Sequence, residues 1–272
     1  MLTNEEYAYI AGIIDGEGHI PDRDKKWGCE IIVSTTNRNL ALFFRQKLGG
    51  RLKRIKGDKK RDLYRWFWRR SEFKEELINV YPYLIIKKEN AKKWLRELMT
   101  DSSNSVETCS NANNTELSPT QIAYLAGIID GEGCLTLKVC RHKDGGIIVH
   151  PLIVVVNTSK ELFSFITNLI GGHPYWKKNL GSFKTNSLIG EYSIYSRKIK
   201  EILPLIEKYC IVKKPQIKVL KRFLALKESN VLRDKNTGRF IPVEEQYLLK
   251  TLKLSRMMSI LNQKKSMLIG KV

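Results

Sequence analysis

Apolar and small side chains run unbroken from Tyr9 through Ile14, as an amphipathic helix would, and Gly16 and Gly18 then stop the run. A polar stretch from His19 to Trp27 leads into an apolar strand over 30–36, and Asn39 to Leu48 reads as an amphipathic helix closed by Gly49 and Gly50. Basic arms near Arg51 to Lys56 and Asp62 to Arg70, around a Gly-Asp-Lys-Lys turn, predict a hairpin. Its alternation sets Arg65, Phe67 and Arg69 on one face and Tyr64, Trp66, Trp68 and Arg70 on the other, with the aromatics expected in the core. Helices near Glu72 to Val80 and Glu89 to Met99 complete the first half. The second half repeats the order: a helix to Glu132, strands over Cys134 to Arg141 and Ile147 to Val156, a helix over Lys160 to Ile170, Gly171 and Gly172, a hairpin ending at Tyr195, then helices. Pro82 and Pro204 each precede an apolar entry into the last helix of a half, and one long helix, about Val243 to Gln263, is expected in the tail.

The repeat is literal at its start. AYIAGIIDGEG from Ala8 to Gly18 and AYLAGIIDGEG from Ala123 to Gly133 agree at ten of eleven letters, 115 residues apart. The offset grows to 122 at the Gly-Gly pairs and to 126 where YLIIKK at 83–88 matches YCIVKK at 209–214, which places insertions in loops near Arg141 to Gly146 and in the second hairpin. The stretch from Thr100 to Thr120, rich in Ser, Asn and Thr, reads as a linker. The expected organisation is a first unit over 1–100, a linker over 101–118, a second unit over 119–230 and a basic helical tail over 231–272. Gly12 and Gly16, like Gly127 and Gly131, lie four apart and leave a stripe where another backbone can approach. Two such helices packed in parallel bring Glu17 and Glu132 together at their C-terminal ends. There each carboxylate meets the other's charge and two helix dipoles, a conflict that a hard divalent cation with oxygen ligands resolves. Asp15 and Asp130, before the last turn, suit structural hydrogen bonding.

The segments IAGIIDGEG at 10–18 and LAGIIDGEG at 125–133 resemble the LAGLIDADG motif, and two copies in one chain resemble the monomeric, double-motif LAGLIDADG homing endonucleases. The resemblance implies an α+β fold of two pseudo-symmetric αββαββα units, each a four-stranded antiparallel sheet backed by helices, together forming a DNA-binding saddle. It implies metal binding by Glu17 and Glu132, with the carbonyls of Gly16 and Gly131 as further ligands, and Mg²⁺ as cofactor. Mn²⁺ is expected to support activity as well, and Ca²⁺ to bind without cleavage. Many members have Asp where this chain has Glu; the change keeps the charge and lengthens the reach by one methylene. Lys87 and Lys213, at the entry to the third helix of each unit, match lysines that organise water or stabilise charge at the phosphate. Thr35 and Asn157, at the strand-to-helix corners, stand where the family places a water-positioning polar residue.

Charge adds a partner class. The chain has 48 Lys and Arg against 28 Asp and Glu, a net +20. The excess is +8 over 1–100, +9 over 119–230 and +6 from 231 onward, while 101–118 holds three acids and no Lys or Arg. Such a charge spread over folded segments implies a polyanionic partner, foremost nucleic acid. Two-stranded ribbons fit the DNA major groove, so Arg65 and Arg69 on the hairpin, with Arg23, Lys25 and Lys138 on the first strands of the two sheets, are the candidate DNA-binding residues. No run of eighteen apolar residues exists, so no membrane span is expected, and the N-terminus reads as neither a signal nor a transit peptide. Five cysteines without CxxC spacing read as reduced thiols. Cys134, Cys140, His142 and His150 crowd together, but their spacing fits no common zinc pattern and they read as strand residues.

The resulting expectation is a metal-dependent endonuclease that makes double-strand breaks in a long, non-palindromic target, acting as a monomer. The alternatives are a group I intron maturase, with intron RNA as partner, and a non-cleaving DNA-binding regulator on the same scaffold. The resemblance places the protein in an organelle, mitochondrion or chloroplast, with a bacterial or archaeal cytoplasm as the alternative.

Overall fold

The two repeat helices begin with the same reciprocal cap. In α1 (Asn4–Glu17) the Glu6 N–H donates to Thr3 Oγ1 and the Thr3 N–H donates to the Glu6 carboxylate; in α5 (Pro119–Gly131) Ser118 and Gln121 make the same exchange. The computed structural model describes residues 2–21, 30–57, 62–69, 74–99, 117–142, 146–178, 188–230 and 245–263. Neither helix is amphipathic as expected from its sequence: Tyr7 through Asp15 and Ile122 through Gly131 are buried on every side. The reason is that α1 and α5 lie against each other as well as against their own units, so no face meets water.

Each unit carries a four-stranded antiparallel sheet. In the first, β1 (Gly18–His19), β2 (Glu30–Thr35), β3 (Arg51–Ile55) and β4 (Leu63–Arg69) are ordered β1-β2-β4-β3. In the second, β5 (Cys134–Arg141), β6 (Ile147–Asn157), β7 (Tyr175–Lys178) and β8 (Leu188–Tyr195) repeat that order as β5-β6-β8-β7. Helices α2 (Arg38–Leu48) and α6 (Lys160–Ile170) join the hairpins of each sheet, and each ends at two glycines with positive φ, Gly49 and Gly50 or Gly171 and Gly172. In the first unit two indoles finish that helix end: Trp66 Nε1 donates to Gly49 O at 2.9 Å and Trp68 Nε1 to Leu48 O at 3.0 Å. Burial of Trp66 and Trp68 with exposure of Arg65 agrees with the alternation in the sequence.

Further helices back the sheets: α3 (Lys74–Val80) and α4 (Lys88–Met99) in the first unit, α7 (Ser196–Glu207) and α8 (Lys214–Asn230) in the second. Pro82 sits in a short 3₁₀ turn, Tyr81–Tyr83, but Pro204 lies inside α7, where it removes one N–H from the helical ladder near the C-terminal end. The tail helix α9 (Glu245–Gln263) packs on the second unit. Ser255 Oγ donates to Leu137 O at 2.9 Å and Asn262 Nδ2 to Leu135 O at 2.8 Å, while Met258 is buried. Since β5 is an edge strand, α9 satisfies carbonyls that would otherwise be open to strand addition. No helix among the described residues is long and apolar enough to cross a membrane.

Candidate active site at the paired helix ends

The glycine stripe sets the approach of α1 and α5. A methyl placed on Gly12 would stand 2.3 Å from Tyr124 O, and one on Gly127 would stand 2.3 Å from Tyr9 O. One turn on, a methyl on Gly16 would lie 3.3 Å from Cγ of Glu132, and one on Gly131 would lie 3.2 Å from Cγ of Glu17. The helices therefore run in the same direction, and each acid lays its stem over the other helix's glycine. Glu17, the last residue of α1, is exposed; Glu132, just past α5, is half-buried.

Below the acids a second pair of carboxylates ties the units together. Asp15 accepts the N–H groups of Ile85, Ile86 and Lys87 at 2.7, 3.1 and 2.9 Å and the Tyr124 hydroxyl of the other unit at 2.8 Å. Asp130 accepts those of Ile211, Val212 and Lys213 at 2.5, 2.9 and 2.8 Å and the Tyr9 hydroxyl at 2.8 Å. The structural role expected for Asp15 and Asp130 is thus met: each anchors the turn that leads into α4 or α8, and each receives a hydrogen bond across the interface.

Those turns carry the matched lysines. Lys87 Nζ donates to Asp15 O, below the helix end. Burial pulls its pKa below the ordinary lysine value, against the pull of Asp15, Glu132 and Glu17, which favour the charged form. Lys213, just before α8, is buried, with 3% of its surface exposed. Glu132 has its pKa raised, chiefly by burial; the Asn157 hydrogen bond and Lys87 oppose the rise, and Glu17 and Asp15 add to it. Asn157 Nδ2 donates to Glu132 Oε2 at 2.6 Å while its Oδ1 accepts the Ser159 N–H at 2.8 Å. Thr35, its counterpart, accepts the Asn37 N–H at 3.1 Å.

The donor set suits a hard cation. Two carboxylates, Glu17 and Glu132, stand at the ends of the paired helices, and among the described residues no group of three or more His, Cys, Asp and Glu side chains could hold a metal. Any ion there would complete its shell with backbone carbonyls, water and the substrate's oxygens, which fits the oxygen preference of Mg²⁺.

Residues 4–99 match the family described as a LAGLIDADG-like domain. The chain carries a LAGLIDADG-like domain. No curated protein matches the chain by sequence. Among solved structures, the LAGLIDADG meganuclease I-AabMI bound to uncleaved DNA is 16% identical, with 92% of this chain and 98% of that chain covered and a TM-score of 0.63. The LAGLIDADG homing endonuclease I-LtrWI bound to target DNA gives 15% identity, 93% and 97% coverage and a TM-score of 0.60. I-SmaMI bound to an uncleaved DNA target in the presence of calcium ions gives 15%, 95% and 99%, and 0.55. At these identities the likeness establishes the fold, and that fold spans both glycine-striped helices, α1 and α5.

Of the residues expected to bind DNA, Arg65 and Lys138 are exposed on the sheet faces turned away from the helices. Arg69 is described only as a backbone position in β4, and Arg23 and Lys25 lie outside the described residues. The outward, exposed Arg51 and Lys53 escaped the sequence reading; the register places Lys53 opposite Arg65, and the alternation of β3 was the signal that could have found them. The contact between Asn157 and Glu132 joins residues 25 apart and had no sequence signal.

Proposed function

We propose that this chain is a site-specific DNA endonuclease that hydrolyses both strands of a duplex in a Mg²⁺-dependent reaction. The observation that carries the proposal is the meeting of Glu17 and Glu132 at the ends of two parallel helices, between two sheets whose fold recurs in meganucleases held on DNA. The units 1–100 and 119–230, joined by 101–118, would lie in successive major grooves and bring the helix ends over the intervening minor groove, about 6 Å wide.

Glu17 and Glu132 would hold divalent ions, with the carbonyls of Gly16 and Gly131 as added ligands. A bound ion supplies Lewis acidity at the scissile phosphate and stabilises the leaving oxygen. Asn157 fixes the Glu132 carboxylate in one orientation, which saves reorganisation when substrate arrives. Lys87 sets a cationic donor below the acids, where it would favour charge developing on the phosphate, and Lys213 holds the matching place in the second unit. Arg65, Arg69, Arg23, Lys25 and Lys138 would supply groove and phosphate contacts. The two sheets have diverged on their outward faces, so the halves of the target differ and the site is not palindromic.

The test is cleavage of the uninterrupted DNA sequence that flanks the gene's own insertion point, by wild type, Glu17→Gln and Glu132→Gln. Double-strand cutting in Mg²⁺, lost in either variant while binding persists in Ca²⁺, is the expected result. Tight binding without cutting by wild type would overturn the nuclease assignment.

A further inference from the structure

The outward faces of the two sheets differ in a way that the matched motifs do not foretell. On the first sheet Lys53 pairs with Arg65 and Arg51 with Phe67, and the three basic residues are exposed. On the second, the central strand β6 turns Ile153 and Val155 into the core and Leu152, Val154 and Val156 outward. Leu152 pairs with Tyr195, and Val156 pairs with Glu191, which in turn faces Tyr175. Val156 is 43%, Tyr195 64% and Tyr175 68% exposed. Ser34 and Val156 are counterparts in register, so Glu191 takes the place of Arg65, and Lys177 neutralises it at 3.0 Å.

An antiparallel sheet with one wet face normally alternates apolar inward and polar outward, so an apolar outward strand marks a face that a partner covers. Exposed Lys138 on β5 flanks the strip on one side, and on the other the Lys177–Glu191 ion pair closes it. An apolar centre with a cationic residue at its edge suits a major groove, whose base edges lie beside a wall of phosphate. A second copy of this chain is a poor occupant, because a net charge of +20 opposes self-association. In the groove, apolar side chains contact the C5 methyl of thymine, whereas Arg and Lys pair with O6 and N7 of guanine.

We infer that the second sheet reads a thymine-rich half-site by methyl contact through Leu152, Val154, Val156 and Tyr195, while the first reads a guanine-containing half-site through Arg65 and Lys53. This rests on the endonuclease reading and adds the base chemistry of its target.

The experiment selects duplexes from a randomised pool with the wild-type protein in Ca²⁺. Thymine in each half of the selected site is then replaced by deoxyuridine, which deletes the methyl and keeps the pairing. Arg65→Ala and the double variant Val154→Thr, Val156→Thr identify which half each sheet reads. The Thr variant keeps β-branching on an outward face, and its melting temperature verifies folding. Uracil in the second half is expected to weaken wild-type binding about fourfold per contacted methyl. The penalty should be smaller in the Thr variant, which loses one methyl at each of two positions while Leu152 and Tyr195 keep their contacts, and Arg65→Ala should lose only the guanine preference. Equal uracil sensitivity of wild type and Thr variant, or none in either half, overturns the inference. So does self-association of the DNA-free protein that the Thr variant abolishes. Failure to enrich any duplex would instead overturn the endonuclease reading itself.

Discussion

Replacing Gly12 by alanine tests the geometry of the helix pair directly. In an exposed helix the exchange stabilises by about 1 kcal/mol, because alanine loses less conformational freedom than glycine. Here the new methyl would stand 2.3 Å from Tyr124 O, 3.0 Å from Ile128 N and 3.1 Å from Cα of Gly127. Carbon and oxygen rest at about 3.3–3.6 Å, so the helices must part by about 1 Å, and no rotamer can relieve a backbone clash. That gap loosens the packing of Ile10, Ile13, Ile128 and Ile129, all fully buried. Overpacking of this kind exceeds the usual 1–3 kcal/mol, and we expect a net loss of about 3–5 kcal/mol. Urea denaturation of the full chain measures it as a lowered midpoint. Gly16→Ala is the control: its methyl meets the flexible Glu132 side chain at 3.3 Å and backbone only at an ordinary 3.9 Å, from Gly131 Cα, so stability should stay within about 1 kcal/mol while cleavage falls. A Gly12→Ala protein as stable as wild type would refute the close parallel packing on which the active-site geometry depends.

Other outcomes follow from the same geometry. Tyr124→Phe removes a hydroxyl that donates to the Asp15 carboxylate and should cost about 1.5–3 kcal/mol by denaturant melts, with Tyr9→Phe matching it through Asp130. Glu132→Gln should raise the stability of the metal-free protein. Burial holds the Glu132 pKa above its ordinary 4.5, so folding favours the neutral acid; wild type carries its full stability at low pH and loses some as pH rises through the raised pKa. The gain in the variant should therefore appear between acidic and neutral pH and vanish well below pH 4.5, as followed by melting temperature against pH. Truncation after Asn230 uncovers the β5 edge and empties the site of Met258, so we expect lower stability and self-association visible by light scattering.

Local sequence patterns fall short where the deciding information is long-range. The helices α1 and α5 read as amphipathic because periodicity reports one apolar face and says nothing of a partner that covers the other. The burial of Lys213 has no local signal, since it arises because the turn that carries it is drawn inward by Asp130. The tail helix was legible within a few residues, but not its seat on an edge strand more than a hundred residues earlier. The hairpin faces were read well from alternation alone, because a period of two leaves only two choices and Trp66 with Trp68 settles which is inward.

From the sequence alone came the duplication, the order of elements in each unit, the two acids at matching helix ends and a basic surface for a polyanion. These are local or strictly repeated features, carried by spacing, caps and composition. Only the tertiary structure decided that the helices run in parallel at backbone contact, that Asp15 and Asp130 each accept a tyrosine from the opposite unit, that Asn157 holds Glu132, and that the second sheet presents an apolar strip outward. Each depends on which elements become neighbours, and burial of the two glycine-striped helices against each other selects those neighbours.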